Sequence, residues 1–182
     1  DSRLQLQFQN AHICLKSLRN PNLALEALEP IFKVRPFFDG SLDLILEIGQ
    51  QSRQWEPVAQ ILALGADDSS AAETTDSYVN LVLELALIHA DKLRDESESI
   101  RRYQQVLEHD AHNETALNAL ETLFEKTDRW FDLLQIVEIR TELIEDAEQR
   151  CLQIERQAGL YEHQLDDLTS AIDCYLRMIE ET

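Results

Sequence analysis

Asp128–Val137, "DRWFDLLQIV", has a counterpart upstream: Ser52–Leu62, "SRQWEPVAQIL", repeats its pattern of residues. In each, a basic or amide residue precedes a tryptophan, an aliphatic residue follows three positions later, and Gln-Ile is followed by another aliphatic residue. Trp55 and Trp130 are the only tryptophans in the 182-residue chain and lie 75 positions apart (130 − 55 = 75). A rare large side chain used twice in one context predicts an internal repeat.

Other apolar residues repeat with almost the same period. A shift of 75 and then one of 72 superimpose three sets: Leu25, Leu28, Ile31 and Phe32 on Ile100, Tyr103, Val106 and Leu107, and these on Ile172, Tyr175, Met178 and Ile179. The three-residue difference falls in "GADDSSAAETTD" (65–76), a polar stretch that predicts a longer loop. The chain is therefore expected to hold two and a half copies of a four-helix repeat.

Each four-helix repeat divides into two helical hairpins of about 36 residues. Apolar residues recur at spacings of three and four, Gly and Pro are scarce at four each, and strict alternation is absent, so no strand is predicted. The predicted antiparallel pairs are 2–18 with 22–34, 39–52 with 55–64, 74–92 with 95–109, 113–126 with 130–144, and 147–163 with 167–181. Asp76, Asn113 and Asp167 are predicted to cap the helices that follow them, because their side chains can accept unpaired backbone N–H groups.

The pattern resembles the tetratricopeptide (TPR) repeat family, which places small and aromatic residues at fixed positions in both helices of a hairpin. The matching positions are Ala158, Tyr161, Ala171 and Tyr175, then Ala86, His89, Ser99 and Tyr103, and more loosely Ala11, Cys14, Ala24 and Leu28. The match is degenerate. The turn between the two helices has one extra residue, and Val58 and Leu133 occupy positions where the family prefers Ala. The Pro that usually ends a repeat occurs only as Pro36. A sister family of helical repeats stays open as an alternative.

The resemblance implies an all-α fold, a right-handed α-solenoid (a TPR-like superhelix) of about five antiparallel hairpins. A single array over 1–182 is expected, with hairpins at about 1–36, 37–70, 74–111, 112–146 and 147–182. Each Trp is predicted to wedge between the helices of its own hairpin; the alternative is a Trp-lined binding pocket. Because the first residue is Asp rather than Met, the sequence is expected to be an excerpt of a longer protein.

The charge of −19 excludes two classes of partner. A surface with this much negative charge repels phosphate backbones and anionic lipid. Neither nucleic acid nor a membrane surface is therefore an expected ligand. No apolar run approaches the roughly 20 residues that cross a bilayer. The three cysteines form no ligand spacing and are expected to be reduced thiols, which favours a cytoplasmic location.

No motif for catalysis is present, and the chain is predicted not to be an enzyme and to bind no cofactor or metal. Gly-rich phosphate loops and nucleophile elbows are absent. Cys14 shares a repeat position with His89 and Tyr161, which indicates a packing position rather than a catalytic thiol. His109 and His112 flank Asp110 without a third ligand at a sensible spacing, so a metal site is not predicted there.

The resemblance also implies a concave groove lined by the first helix of each hairpin. The residues that it places there are Phe8, His12, Leu42, Leu46, Asn80, Leu83, Leu87, Glu114, Leu117, Glu121, Phe124, Glu125, Glu155 and Glu162, with Gln5, Lys16, Gln50, Asp91 and His163 beside them. The side chains change from near neutral to acidic along this series, which fits a partner with an apolar stripe and Lys or Arg toward one end. The alternative is that the glutamates only solvate the face. Family members that grip an acidic peptide terminus use paired Lys and Asn residues; Lys16 and Asn80 do not make such a clamp.

The predicted function is a non-enzymatic protein–protein interaction scaffold that presents a concave, partly acidic groove to a basic and apolar peptide or protein segment. One alternative is a structural spacer or self-associating segment of a longer array, with a homodimer formed through exposed repeat ends. Another is a regulatory helical domain of a larger enzyme.

Overall fold

A computed structural model describes residues 2–67 and 74–181, and these fall into two compact units, Asp1–Ala111 and His112–Thr182. The helices of unit 1 are α1 (Ser2–Lys16), α2 (Pro21–Val34), α3 (Ser41–Ser52), α4 (Trp55–Ala66), α5 (Thr75–Leu87, continued by a π-helical segment, Ile88–Leu93) and α6 (Glu96–His109). Those of unit 2 are α7 (Glu114–Lys126), α8 (Trp130–Leu143), α9 (Ala147–His163) and α10 (Leu168–Glu181).

Consecutive helices pair as hairpins in both units. In unit 1, α1 packs on α2, α3 on α4, and α5 on α6, while α2 also contacts both helices of the next hairpin and α4 contacts α5. In unit 2, α7 packs on α8, α8 on α9, and α9 on α10. No strand occurs among the described residues. The predicted all-α fold of antiparallel hairpins is therefore confirmed, and the predicted helix bounds agree to within about two residues. The single array and its right-handed superhelix stay predictions.

Each hairpin turn contains one residue in the left-handed backbone region. These residues are Arg19, Arg53, Arg94, Asp128 and Asp166, with φ between 50° and 58°. None of them is a glycine, although left-handed backbone favours glycine. Arg19, Arg94 and Asp166 occupy one repeat position, because shifts of 75 and then 72 residues superimpose them. Arg53 and Asp128 occupy a second position, related by the shift of 75. Two kinds of turn thus alternate, as a repeat of four helices predicts.

The turns of the first, third and fifth hairpins share one hydrogen-bonding pattern. The backbone N–H groups of Asn20, Asp95 and Asp167 bond to the carbonyls six residues earlier, at 2.9, 2.9 and 2.8 Å. Their side chains accept the backbone N–H groups three residues later, at 3.2, 3.1 and 3.1 Å, and so cap the second helix. The wide six-residue closure accommodates the extra turn residue seen in the sequence.

Of the three predicted caps, Asn113 and Asp167 are confirmed, because their side chains accept the N–H groups of Ala116 and Ser170. The prediction for Asp76 is wrong. Helix α5 begins before it, and the hydroxyl of Thr74 accepts the N–H of Ser77 instead. The predicted loop at 65–76 is shorter than expected because α4 continues to Ala66; residues 68–73 lie outside the described residues.

The two tryptophans are half-buried and begin equivalent helices, α4 and α8. The indole of Trp55 lies against Gly49 of α3, as the wedge prediction requires for that hairpin. The residue equivalent to Gly49 before Trp130 is Phe124 (49 + 75 = 124), which is buried. The second hairpin thus has a large side chain at the position where the first has none, although the two tryptophans occupy the same position.

Candidate interaction surface

Helix α1 and the connection before α3 bring an aromatic cluster together at the start of the predicted groove. The ring of Phe8 lies 5.5 Å from that of Phe38 and 6.1 Å from that of His12, measured between centroids. Gly40, at φ +77°, turns the chain into α3, and a Cβ there would be 3.2 Å from the Phe8 ring. Phe8 and Phe38 are half-buried and His12 is exposed, so part of the cluster is accessible to solvent.

A cleft of about 220 Å³ separates the start of α3 from the start of α5. Leu42 and Asn80, two of the predicted groove residues, line this cleft together with Phe38. Asp39 and Asp43 stand at its edge and are exposed. The structure thus brings together residues that lie far apart in the sequence, in a cleft where apolar side chains alternate with polar and acidic ones.

The remaining predicted apolar residues of unit 1, Leu46, Leu83 and Leu87, are half-buried. They keep part of each side chain in solvent because the first helices bury only one side against the hairpin core. Next to them, burial raises the pKa of the Glu84 carboxyl.

One ion pair ties the first two groove helices of unit 1. Lys16 of α1 pairs with Glu47 of α3, and the amide of Gln51 donates to the same carboxylate at 2.7 Å. Since both charged side chains are partly exposed, the pair adds little stability. Its consequence is electrostatic: Lys16, which the sequence places in the groove, is already occupied by a partner within the chain.

In unit 2 the three predicted glutamates of α7, Glu114, Glu121 and Glu125, lie near arginines. Glu121 lies between Arg140, whose Nε is 3.0 Å from its Oε2, and Arg156, whose Nη1 donates to its Oε1. The other guanidinium nitrogen of Arg156 donates to Glu125 at 2.6 Å, and Glu114 lies 3.8 Å from Arg140. Burial alone lowers the pKa of the Arg156 guanidinium, but its bonds to the two glutamates outweigh burial and raise it. The acidic charge predicted for this part of the face is thus partly neutralised.

The placement of Leu117 and Phe124 in the groove is wrong. Both are buried in unit 2 and lie seven residues apart, so they share one side of α7 that is turned away from solvent. The other two predicted residues of unit 2, Glu155 and Glu162, are exposed and half-buried, and Glu162 accepts the hydroxyl of Tyr175 at 3.2 Å.

Sequence reasoning missed Phe38 in the cleft of unit 1 and the two arginines, Arg140 and Arg156, that lie beside the glutamates of unit 2. Phe38 lies in the connection before α3, where helical periodicity gives no information. The two arginines carry no periodic signal either, because their role depends on a neighbouring helix.

Two negative findings limit the chemistry of the described residues. Within 2–67 and 74–181, no group of three or more His, Cys, Asp or Glu side chains could hold a metal ion. None of the helices in these ranges is long and apolar enough to span a membrane. His109, considered above as a ligand, instead packs its ring 4.5 Å from that of Tyr78.

No protein-family model matches the sequence, and a search of curated proteins finds no match. Among solved structures, the chain is similar to a crystal structure of MamA protein at a TM-score of 0.49 and 9% identity, covering 99% of this chain and 92% of that one. A second MamA structure has a TM-score of 0.46 and 11% identity, covering 92% and 91%. BtubC (BKLC) from P. vanneervenii has a TM-score of 0.44 and 12% identity, covering 99% and 89%.

Proposed function

We propose that this chain is a non-enzymatic protein-interaction scaffold, and that unit 1 binds an apolar segment of a partner protein along α1, α3 and α5. The observation that carries the proposal is the cleft between α3 and α5, where Leu42, Phe38 and Asn80 meet. Half-buried apolar side chains on a rigid helical frame bind without reordering, so ordering costs fall mainly on the partner.

The proposed segment carries Lys or Arg beside its apolar residues. Asp39 and Asp43 are exposed at the cleft and the chain has a net charge of −19, so a cation there meets a favourable potential. In unit 2, by contrast, Arg140 and Arg156 already accompany Glu121. We therefore place the basic residues of the partner at the cleft of unit 1 rather than on α7.

The proposal can be tested with a phage-displayed library of random 12-mer peptides selected on the immobilised chain. Selected peptides are expected to combine apolar residues with Lys or Arg, and their binding is then measured by fluorescence anisotropy. Asp43→Lys and Leu42→Glu are each expected to weaken binding at least about tenfold, the effect of losing roughly 1.4 kcal/mol of contact free energy. Glu26→Lys is the matched control for Asp43→Lys, because it makes the same charge change on an exposed position of α2. Selected peptides that bind all three variants equally would refute the site.

A second candidate is that the chain associates with itself. The observation that favours it is an apolar stripe on α10, formed by the exposed Leu168, Ile172, Tyr175, Leu176 and Ile179. Contiguous exposed apolar side chains of this kind mark interaction surfaces.

A further inference from the structure

Three of the left-handed turn residues, all in unit 1, are arginines: Arg19, Arg53 and Arg94. The backbone does not require arginine there, because Asp166 and Asp128 occupy the same repeat positions in unit 2 at a similar φ, 54° and 55°. Residues held in a costly backbone conformation cluster at binding sites, where the strain is kept for a function. The charge of these three side chains, here called the turn arginines, is therefore not explained by the fold.

The turn arginines have unused hydrogen-bond donors. All three are exposed, and no described residue forms a hydrogen bond or an ion pair with any of their guanidinium groups. The chain holds 35 acidic residues against 16 lysines and arginines, so this is not for want of carboxylates. A guanidinium presents its N–H groups in a planar fork that fits the two oxygens of a carboxylate. Each turn arginine can therefore bind an anionic group from outside the chain.

The three turns lie next to one another along one edge of unit 1. A cleft of about 300 Å³ joins the first turn to the end of α3, directly before the second turn. The ammonium of Lys92, just before the third turn, lies 5.7 Å from the ring of Trp55, just after the second. The turn arginines therefore belong to one surface rather than to three separate ones.

The cleft beside the first turn, here called the turn cleft, has no carboxylate in its lining. Lys16 and Gln51 both bond to the carboxylate of Glu47, and the hydroxyl of Ser52 donates to a backbone carbonyl of α3 at 2.7 Å. Arg19 is thus the lining residue whose side-chain donors are all unused. Both walls of the turn cleft come from the first two hairpins of unit 1, and the lining residues are Leu15, Lys16, Arg19, Pro21, Gln51 and Ser52.

The sequence around the turn cleft is locally basic. Residues 2–25 contain three lysines and arginines and no Asp or Glu, and residues 48–55 contain Arg53 and no carboxylate. An anion at the turn cleft therefore meets a local attraction, whereas the net charge of −19 repels an extended polyanion such as nucleic acid. Leu15 and Pro21 add apolar contacts. This chemistry fits single carboxylates on a peptide that also carries apolar side chains.

We infer that the turn arginines and the turn cleft bind an acidic segment of a partner protein. One carboxylate of the segment binds Arg19 in the turn cleft, and a second binds Arg53. Arg94 contributes less, because Asp91 and Asp95 lie close to it in the sequence and repel a carboxylate. The turn cleft shares no lining residue with the cleft between α3 and α5, where the proposed function places an apolar and basic segment, so the two sites can be tested independently.

The test is a differential selection with the phage-displayed library, run on the unaltered chain and on the double variant Arg19→Asp with Arg53→Asp. The repeat itself supplies these substitutions, since Asp166 and Asp128 hold the equivalent turns, and circular dichroism melts are expected to show that the variant stays folded. Peptides enriched on the unaltered chain alone are expected to carry several Asp or Glu residues beside apolar ones.

The affinity of such a peptide is then measured by fluorescence anisotropy. The double variant of the chain, and a peptide whose Asp and Glu are replaced by Asn and Gln, are each expected to weaken binding at least about tenfold. Added salt is expected to weaken binding too, because it screens the charges. Arg177→Asp is the matched control and is expected to bind like the unaltered chain, since Arg177 is exposed in unit 2 and forms no hydrogen bond or ion pair with a described residue.

The inference is overturned if no peptide distinguishes the unaltered chain from the double variant, or if the distinguishing peptides lack Asp and Glu. Competition by a short single-stranded oligothymidine, as effective as that of unlabelled peptide, would also overturn it, because the site would then recognise phosphate. Peptides with Lys or Arg that bind both proteins equally belong to the cleft between α3 and α5 and bear on the proposed function alone.

Discussion

The indole of Trp55 occupies the space that a side chain at position 49 would need. A Cβ built on Gly49 would lie 2.5 Å from Cζ3 of the indole and 2.8 Å from Cε3, closer than non-bonded carbon atoms approach. Helices α3 and α4 are therefore joined through a residue without a side chain and a residue with the largest one. The Lys92 ammonium lies 5.7 Å from the centroid of the indole ring, within range of a cation–π contact.

This relationship predicts that Gly49→Ala destabilises unit 1. The added methyl group must displace a ring that is held between two helices, and overpacking of this kind costs about 1–3 kcal/mol. The loss is expected as a lower midpoint in urea unfolding followed by circular dichroism.

Gly159 provides the opposite expectation. It lies inside α9, and a Cβ there would meet no atom within 4 Å. Gly159→Ala should therefore raise the unfolding free energy by roughly 0.5–1 kcal/mol, since alanine restricts the unfolded chain and suits a helix interior. Equal effects of the two substitutions would show that the indole is not seated on Gly49.

Asp95→Ala is expected to lower stability by about 1 kcal/mol. The substitution removes the side chain that accepts the Glu98 N–H at 3.1 Å and leaves that donor without its cap. Asp91→Ala is the matched control, because Asp91 is exposed in the π-helical segment four residues earlier. A cap that contributes nothing would make the two variants unfold at the same urea concentration.

The hydrogen bonds that Glu98 accepts from two arginines predict that part of the unfolding free energy depends on acidic pH. Hydrogen bonds from Arg101, at 2.8 and 2.5 Å, and a further one from buried Arg102, at 2.8 Å, lower the pKa of Glu98 from 4.5 to about 2, although burial opposes the change. A carboxylate whose folded pKa is depressed stabilises the fold above its unfolded pKa and ceases to do so as the pH falls through the folded value.

The stability from this group is therefore present above about pH 4.5 and is lost between pH 4.5 and 2. We expect Glu98→Gln to remove on the order of 1–2 kcal/mol at pH 7 and to flatten the dependence in that window, allowing for solvent around a partly exposed side chain. Urea unfolding at several pH values measures both effects. Glu108→Gln, on the exposed side of the same helix, is the charge-matched comparison; an unchanged slope in Glu98→Gln would contradict the assignment.

Arg156→Gln is expected to destabilise unit 2 by about 1 kcal/mol, because a network that ties two helices through partly exposed charges contributes more than a single surface pair. The substitution leaves Glu121 with Arg140 alone and removes the bond to Glu125. If the network stabilises unit 2, the losses in unfolding free energy from Arg156→Gln and Glu125→Gln do not add when the two substitutions are combined. Additive losses would mean that the two side chains act separately.

Periodicity predicted the helices well and their surfaces less well, for a physical reason. Every hairpin buries its apolar residues at spacings of three and four, so the pairs from 2–18 with 22–34 to 147–163 with 167–181 could be placed from the sequence. Whether an apolar residue faces the hairpin partner or the groove depends on a rotation of the helix, and this is where Leu117 and Phe124 were assigned incorrectly.

Contacts between helices are harder still to predict. Nothing local marks Arg156 as the partner of Glu121, because the two are 35 positions apart and meet only after folding. The cap at Thr74 was missed for a different reason: Thr74 and Asp76 are both acceptable caps, and the sequence alone did not place the first turn of α5.

The connections within the five hairpins hold conformational strain that glycine or asparagine would relieve. Each contains one residue with a left-handed backbone: Arg19, Arg53, Arg94, Asp128 or Asp166. A side chain in this backbone region costs on the order of 1 kcal/mol, and asparagine tolerates it better than arginine does. The strained positions belong to five different hairpins, and none of them lines the cleft of unit 1 between α3 and α5. Heat resistance could therefore be raised one connection at a time while that cleft keeps its chemistry.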